Sequence, residues 1–459
     1  MLKVNSNNLN QPTLAIIGGG FSGSLVAVNL AKIATKPITI KLINKSQEIG
    51  RGLAYNTSVS GHLLNVPAGK ISALPEPCSH FLNWLHNHGY SEVKPTDFVP
   101  REIYGSYLQA VLQEIKNNPN VTLEIITGDE AIALEKNPNE SKILLKSGKT
   151  LTAQKIVLAL GNPPPLLPEN LENYQAEIKD PWDIKAINNL NSDDSILLLG
   201  TGLTMVDVAI SLLEKGFKGQ IYTVSRHGLK PLAHKPPTKP YPLFITLENT
   251  PKTIRKLLHL VRQEIKLAQS QGYDWRIVID ALRPLNQELW QSFTLTEKQR
   301  FLRHVKAYWE VHRHRIASEI KEKLDILTDS GQLKYSKGRI KNCRELNQKI
   351  EVKIKERGTS NELNLLVNSI FNCTGSSGNY ANHPLIISLL KQNLIRIHPL
   401  LLGFETANNG AIIDSQGNIS DWIFTLGPPR KGDLWESTAV PEIRVQAFNL
   451  AQEIYQSFY

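Results

Sequence analysis

The sequence predicts an α/β chain of two Rossmann-like dinucleotide-binding domains with a helical insertion, and three observations support this. Two glycine-rich turns, Gly18-Gly19-Gly20-Phe21-Ser22-Gly23 and Gly200-Thr201-Gly202-Leu203-Thr204-Met205, lie about one domain apart. Each turn stands between a short apolar strand and a helical pattern, the local order that a dinucleotide fold requires. A charged, aromatic and helical stretch of roughly 231–324 is too long to be a connecting loop.

The first turn follows Leu14-Ala15-Ile16-Ile17 and opens a helix whose apolar positions are Leu25, Val26, Val28, Leu30 and Ile33. Gly18 permits the bend, Gly20 lets backbone approach a pyrophosphate, and Gly23 lets helix and strand pack closely. The phosphate would then rest on helix N-terminal amides, with Ser22 in the same turn. Ile38 to Ile43 alternates as a half-buried strand and completes the unit. Asn44 then occupies the position where such folds often place a carboxylate for the ribose hydroxyls. Its amide oxygen can accept one such hydrogen bond, without charge.

From Gly50 to Tyr107 the chain is rich in glycine, proline and aromatic residues and reads as loops and helices over a ligand, followed by a helix from Tyr107 to Lys116. Strands are expected at 121–126, 131–134 and 142–145. The run Lys155 to Leu160 ends at Gly161-Asn162-Pro163, which reads as a crossing between domains.

The second turn follows Ser195 to Leu199 and precedes an apolar helix ending near Gly216. Met205 replaces its third glycine, so the helix stands farther from its strand or the side chain points away. The next strand, Gln220 to Val224, reaches Ser225-Arg226-His227. A carboxylate there would repel a 2'-phosphate, whereas Ser225 leaves room and Arg226 can pair with it, so NADPH is favoured over NADH. In the insertion, His304, His312 and His314 stand among Arg303, Lys306, Arg313 and Arg315. Cations oppose metal binding, so these residues read as a solvated basic or anion-binding face and no metal is expected. Two apolar strands then end in glycine, at Gly375 and Gly427.

Composition narrows the function. At 459 residues, with 41% hydrophobic and 20% charged content, the chain can bury substantial cores. Three widely spaced cysteines, Cys78, Cys343 and Cys373, offer neither a disulfide framework nor a zinc pair, and no closely spaced couple to relay electrons as in flavin disulfide reductases. The net charge of +10 suits anionic cofactors and solubility; no nucleic-acid motif accompanies it. The polar, asparagine-rich first ten residues hold no signal-peptide core and no run spans a bilayer, so a cytoplasmic location without membrane association is expected.

As a set, the first turn, Gly50-Arg51-Gly52-Leu53-Ala54-Tyr55, His62 to Pro67, Pro100-Arg101-Glu102-Ile103-Tyr104-Gly105, the second turn, His312 to Arg315, Gly432 to Glu436 and Ala439 to Arg444 resemble the bacterial FAD/NAD(P)-binding protein family. These are flavoproteins with two dinucleotide-binding domains. The resemblance covers nearly the whole chain and implies that the second domain is nested in the first. An FAD domain would comprise 1–190 and 336–459, with NAD(P)H bound by 191–335. It further implies an FAD pyrophosphate over Gly18, Gly20 and Gly23; the other cofactor-binding candidates are Ser22, Asn44, Arg51, Asn65, Arg101, Gly161, Gly200, Gly202, Thr204, Arg226, Gly375, Gly427, Ala439 and Val440.

Related flavoproteins follow the last strand with glycine and aspartate; here Gly427-Pro428 stands instead, with Asp433 as a substitute. Ala439 to Arg444 begins a helix whose N-terminus would stabilise negative charge on reduced flavin. The segment Pro100 to Leu108 is similar to one in flavin N-hydroxylating monooxygenases, with Asn65, His62 and Arg101 as lining candidates and no catalytic residue assigned. The implied activity is an FAD-dependent oxidoreductase fed by NAD(P)H, acting on a small-molecule substrate. A flavin-binding sensor or scaffold is the alternative.

Overall fold

A computed structural model describes residues 11–174, 178–236 and 240–459. The polar first ten residues lie outside that range. The chain divides into two compact units, one of residues 1–56, 66–163 and 378–459, the other of 57–65 and 164–377. The second is thus nested in the first.

The first unit is built on a six-stranded sheet ordered Ala411–Ile413, Ile419–Thr425, Lys155–Leu158, Thr13–Ile17, Ile38–Asn44 and Val121–Thr127. All neighbours are parallel except the first pair. Parallel strands buried on both faces need continuous apolar runs, and Leu14, Ala15, Ile16, Ile156, Val157 and Leu158 are all fully buried. The helix Phe21–Ile33 packs against the final helix Val440–Gln456. A three-stranded antiparallel sheet of Ala131–Lys136, Ser141–Leu145 and Thr150–Ala153 shares a core with the helix Pro384–Lys391 through Leu134, Ile143, Leu385 and Leu389.

The second unit holds a seven-stranded sheet ordered Glu362–Val367, Lys349–Glu356, Leu333–Leu346, Ile221–Ser225, Ile196–Leu199, Ser369–Phe371 and Ile178–Lys179. This moves the expected boundaries at 190/191 and 335/336 outward. Leu333–Leu346 is one 14-residue strand: its start runs parallel to Ile221–Ser225, and its continuation turns back in an antiparallel meander. Ser369–Phe371 then slots between Ile196–Leu199 and Ile178–Lys179. A boundary inside these ladders would strand their backbone groups without partners.

The insertion also differs from expectation at its far end. Helices Ile254–Ser270, Trp275–Ala281, Asn286–Ser292, Leu295–His304 and Lys306–Arg313 form it, with Ile245, Val261, Ile279, Leu282 and Leu289 as a core of their own. From Leu295 onward the helical pattern is broken twice, after His304 and after Arg313. Its last part, Ser318–Asp329, packs on the helix Leu203–Glu214 and on the strand that follows, so it is the crossover helix of the second unit. Likewise the helix expected from Tyr107 begins earlier, at Arg101, because Pro100 supplies a natural start.

Candidate functional site

In the first unit, the carboxyl ends of neighbouring parallel strands deliver Gly18, Asn44, Gly161 and Gly427 to one rim, the place where open α/β sheets bind ligands. Gly18 has φ +109°, and a Cβ there would lie 2.1 Å from the Ala159 carbonyl oxygen. A Cβ on Gly23 would lie 1.9 Å from the Gly18 oxygen, so the turn tolerates no side chain at either end. The helix that follows has Gly20 at its N-cap and no side-chain cap, which leaves its first-turn amides to a phosphate. Gly427 lies beside Ser22: a Cβ on it would meet the Ser22 Oγ at 3.1 Å and Ile443 at 3.7 Å. The final helix begins after Ala439, also without a side-chain cap, and Val440 at its start is buried.

The segments flagged in the loop-rich stretch converge on the same turn. Gly52 approaches Gly20, and a Cβ on Gly20 would meet the Gly52 Cα at 3.3 Å. A Cβ on Gly105 would lie 2.5 Å from the Tyr55 oxygen and 3.2 Å from Arg51 Cδ, so that glycine lets the Arg51 segment rest on the Arg101–Gln113 helix. Arg51 Nη2 donates to Ser106 Oγ at 3.5 Å, while its Nε is buried without a hydrogen-bond partner among the described residues. Behind it, Phe21, Tyr55, Tyr104, Phe81 and Tyr107 form an aromatic cluster of edge-on and tilted rings with centroids 4.8–6.5 Å apart. Burial pushes the Tyr55 phenol up to about 12, with the Arg101 charge opposing.

Several assigned residues serve the protein differently from expectation. Asn44 Oδ1 accepts the Gly19 amide at 3.1 Å and its Nδ2 donates to Ser46 Oγ and the Glu48 carbonyl. Its first role is therefore to hold the glycine turn. Asp433 does not replace the missing aspartate: its Oδ2 accepts from the Thr406 amide and hydroxyl at 2.9 and 2.7 Å, within a network that includes buried Arg430. Asn65 and His62 belong to the second unit. The Asn65 carbonyl accepts from His234 Nε2 at 3.0 Å. His62 bonds Thr57 Oγ1 through Nδ1 and lies 2.9 Å from both the Asp207 carbonyl and Ser211 Oγ through Nε2, which ties the 57–65 strip to the Leu203–Glu214 helix.

The second unit repeats the turn. Gly200 has φ +106°, its amide donates to Val224 O at 2.8 Å, and a Cβ there would lie 2.5 Å from the Cys373 oxygen. Gly202 caps a helix that has no side-chain cap, and a Cβ on it would meet nothing within 4 Å. Gly375 is similarly open, while Thr204 is half-buried in the helix's first turn. Met205, in place of the third glycine, is fully buried, so it packs inward rather than facing a ligand.

Ser225 Oγ accepts from Thr201 Oγ1 at 2.9 Å and from the Gly228 amide at 3.0 Å, and so closes the loop beneath exposed Arg226. Arg357, just after the strand Lys349–Glu356, donates to the Arg226 carbonyl and contacts His227 Nδ1 at 2.6 Å. Burial, then Arg357, Arg226, Lys337 and Arg339 in turn, hold the His227 imidazole below its ordinary range. Sequence reading found Arg226 and missed Arg357, Lys337 and Arg339. They lie far along the chain, and only sheet pairing brings them here.

The insertion histidines are not gathered. His304 ends one helix, His312 Nδ1 meets the Tyr308 carbonyl, and His314 lies near Glu310. A concavity of about 440 Å³ in the second unit, lined by Lys179, Asp183, Asn191, Asp194 and Asn368 among others, contains none of the motif residues. Among the described residues, no helix is long and apolar enough to cross a membrane.

Residues 15–163 match the protein-family model described as FAD-NAD(P)-binding. No curated protein sequence matches the chain. Among solved structures, the chain is similar to the reduced form of ornithine hydroxylase from Pseudomonas aeruginosa, with TM-score 0.69 and 15% identity over 98% of this chain and 100% of that one. L-lysine 6-monooxygenase from Pseudomonas syringae gives TM-score 0.68 and 14% identity over 98% and 100%. Ornithine N-hydroxylase from Kutzneria sp. 744, solved with reduced FAD, NADP+ and L-ornithine, gives 0.67 and 12% over 97% and 99%. The fold is that of the flavoproteins with two dinucleotide-binding domains. At the level of the fold, this meets the distant likeness to flavin N-hydroxylating monooxygenases carried by the sequence motifs.

Proposed function

We propose that this chain is an FAD-dependent oxidoreductase reduced by NADPH, and that it oxygenates a small amine. The observation that carries the reading is the pair of uncapped glycine-turn helices, one per unit, each at the carboxyl end of a strand with parallel neighbours on both sides. FAD held on the first turn would supply the two-electron chemistry that links NADPH to oxygen; overall NADPH, a proton and O2 would be consumed, one oxygen atom entering an N–H bond of the amine and the other leaving as water.

The protein's residues supply binding and orientation. Gly18 and Gly23 shape a turn whose amides face a diphosphate, Gly20 and Gly52 give backbone access, and the uncapped start of the final helix at Ala439 offers positive potential to an electron-rich ring. The buried Arg51 Nε and Ser437 Oγ have no hydrogen-bond partner among the described residues, which fits a polar group resting on the first unit. In the second unit, Gly200 and Gly202 serve the other diphosphate. Arg226 and Arg357 supply the cationic fork that a 2'-phosphate needs and that NADH would leave unused.

The test is an absorbance spectrum of the purified protein before and after anaerobic NADPH, followed by oxygen uptake across a panel of diamines and basic amino acids. A flavin spectrum bleached by NADPH, and amine-dependent oxygen consumption, are expected. Colourless, folded protein that takes up no FAD would refute the flavin reading. Bleaching without any amine response would refute the oxygenation and favour a reductase or sensor.

A further inference from the structure

The strand Ile419–Thr425 ends in a way that leaves few hydrogen-bond donors. Gly427 is followed by Pro428 and Pro429, which have no amide hydrogen. The Gly427 amide is itself taken, donating to Gln446 Oε1 at 2.9 Å. That bond fixes which end of the Gln446 carboxamide is which, because an N–H cannot face an NH2 group. The Nε2 group therefore points elsewhere, buried and without a hydrogen-bond partner among the described residues. Gly427 lies against Ser22 in the first turn of the glycine-turn helix, so the carboxamide that carries this orphan donor is bonded to a residue touching the expected diphosphate turn.

A buried amide left unsatisfied is a cost that folded proteins seldom carry. We propose that Gln446 is a cofactor-binding residue whose Nε2 donates to an oxygen of the FAD diphosphate or ribityl chain. It supplies the polar contact at this strand end that Gly427-Pro428 cannot make and that Asp433, held by Thr406, does not replace. This inference rests on the proposed FAD site.

Two substitutions separate cofactor binding from simple tethering of Gly427. Gln446→Glu keeps an acceptor for the Gly427 amide but turns the donor into a second acceptor bearing negative charge. Gln446→Met removes both functions without charge. FAD affinity of the full-length apoprotein is read by fluorescence quenching, with the apoprotein melting temperature alongside. If Nε2 meets the cofactor, the Glu protein binds FAD at least about tenfold more weakly than wild type and more weakly than the Met protein, while melting as wild type does. Its affinity then recovers as acid protonates the carboxyl and restores a donor.

If Gln446 only tethers Gly427, the Glu protein binds as wild type and the Met protein is the weaker, which overturns the proposal. Should the Glu protein not fold, the Met protein decides by FAD affinity read beside apoprotein melting: unchanged affinity, or a loss matched by a drop in melting temperature, overturns the inference, and a loss of about tenfold at the wild-type melting temperature upholds it. Wild-type protein that binds no FAD refutes the site itself instead, so the two failures are distinct.

Discussion

Replacing each of two glycines two residues apart with alanine should have opposite consequences. At Gly200 the backbone is left-handed, φ +106°, and the new methyl carbon would lie 2.5 Å from the Cys373 carbonyl oxygen. Strain and overpacking together cost roughly 2–5 kcal/mol, which lowers the melting temperature of a unit this size by roughly 5–15 °C. At Gly202 the backbone is extended, φ −88° and ψ −164°, and the same methyl meets nothing within 4 Å.

The gain from a stiffer unfolded chain and the loss from a poorer N-cap nearly cancel at Gly202, so stability changes by less than about 1 kcal/mol. The open side of Gly202 is where backbone would approach the diphosphate, so Gly202→Ala should weaken NADP+ binding by about tenfold to a hundredfold while the protein melts normally. Scanning fluorimetry and calorimetric titration with NADP+ measure the two effects. Wild-type NADP+ affinity in the Gly202→Ala protein would refute the placement of the nucleotide on this turn.

Gly20→Val puts a branched side chain where a Cβ already meets Gly52 at 3.3 Å, and the purified protein should lose its flavin absorbance; fully yellow protein contradicts the first site. Arg226→Gln and Arg357→Gln should each raise KM for NADPH by about tenfold and leave KM for NADH unchanged, as steady-state kinetics with both nucleotides would show. His234 is held down to about 4 by burial, then by the Arg315 charge, so the folded state refuses a proton that the unfolded chain accepts below its ordinary 6.5. Stability is therefore full above about pH 6.5 and falls by up to about 3 kcal/mol as the pH drops toward 4. Urea midpoints at pH 7 and pH 5 should differ less in His234→Gln than in wild type.

The sequence by itself determined the elements that depend on neighbours along the chain. Strand, glycine turn and helix at Ile17 to Phe21 and again at Leu199 to Leu203 were legible because a turn's conformation and a helix's periodicity are local properties. Gly18 and Gly200 were identifiable for the same reason, since their left-handed backbone itself disfavours a side chain, and Gly23 because the Gly18 oxygen five residues earlier fills the space of its Cβ. Tertiary structure alone decided what depends on pairing between distant segments. Arg357 joins Arg226 only because a meander follows Leu333–Leu346 in the sheet. Gln446 reaches Gly427 because the final helix packs on the first. The domain boundaries moved because Ser369–Phe371 completes a ladder begun some 170 residues earlier. Asn44 and Asp433, read as ligand contacts from their positions, are engaged by the Gly19 amide and by Thr406. A polar side chain's partner is set by which backbone groups folding leaves unsatisfied beside it, and no pattern along the chain records that.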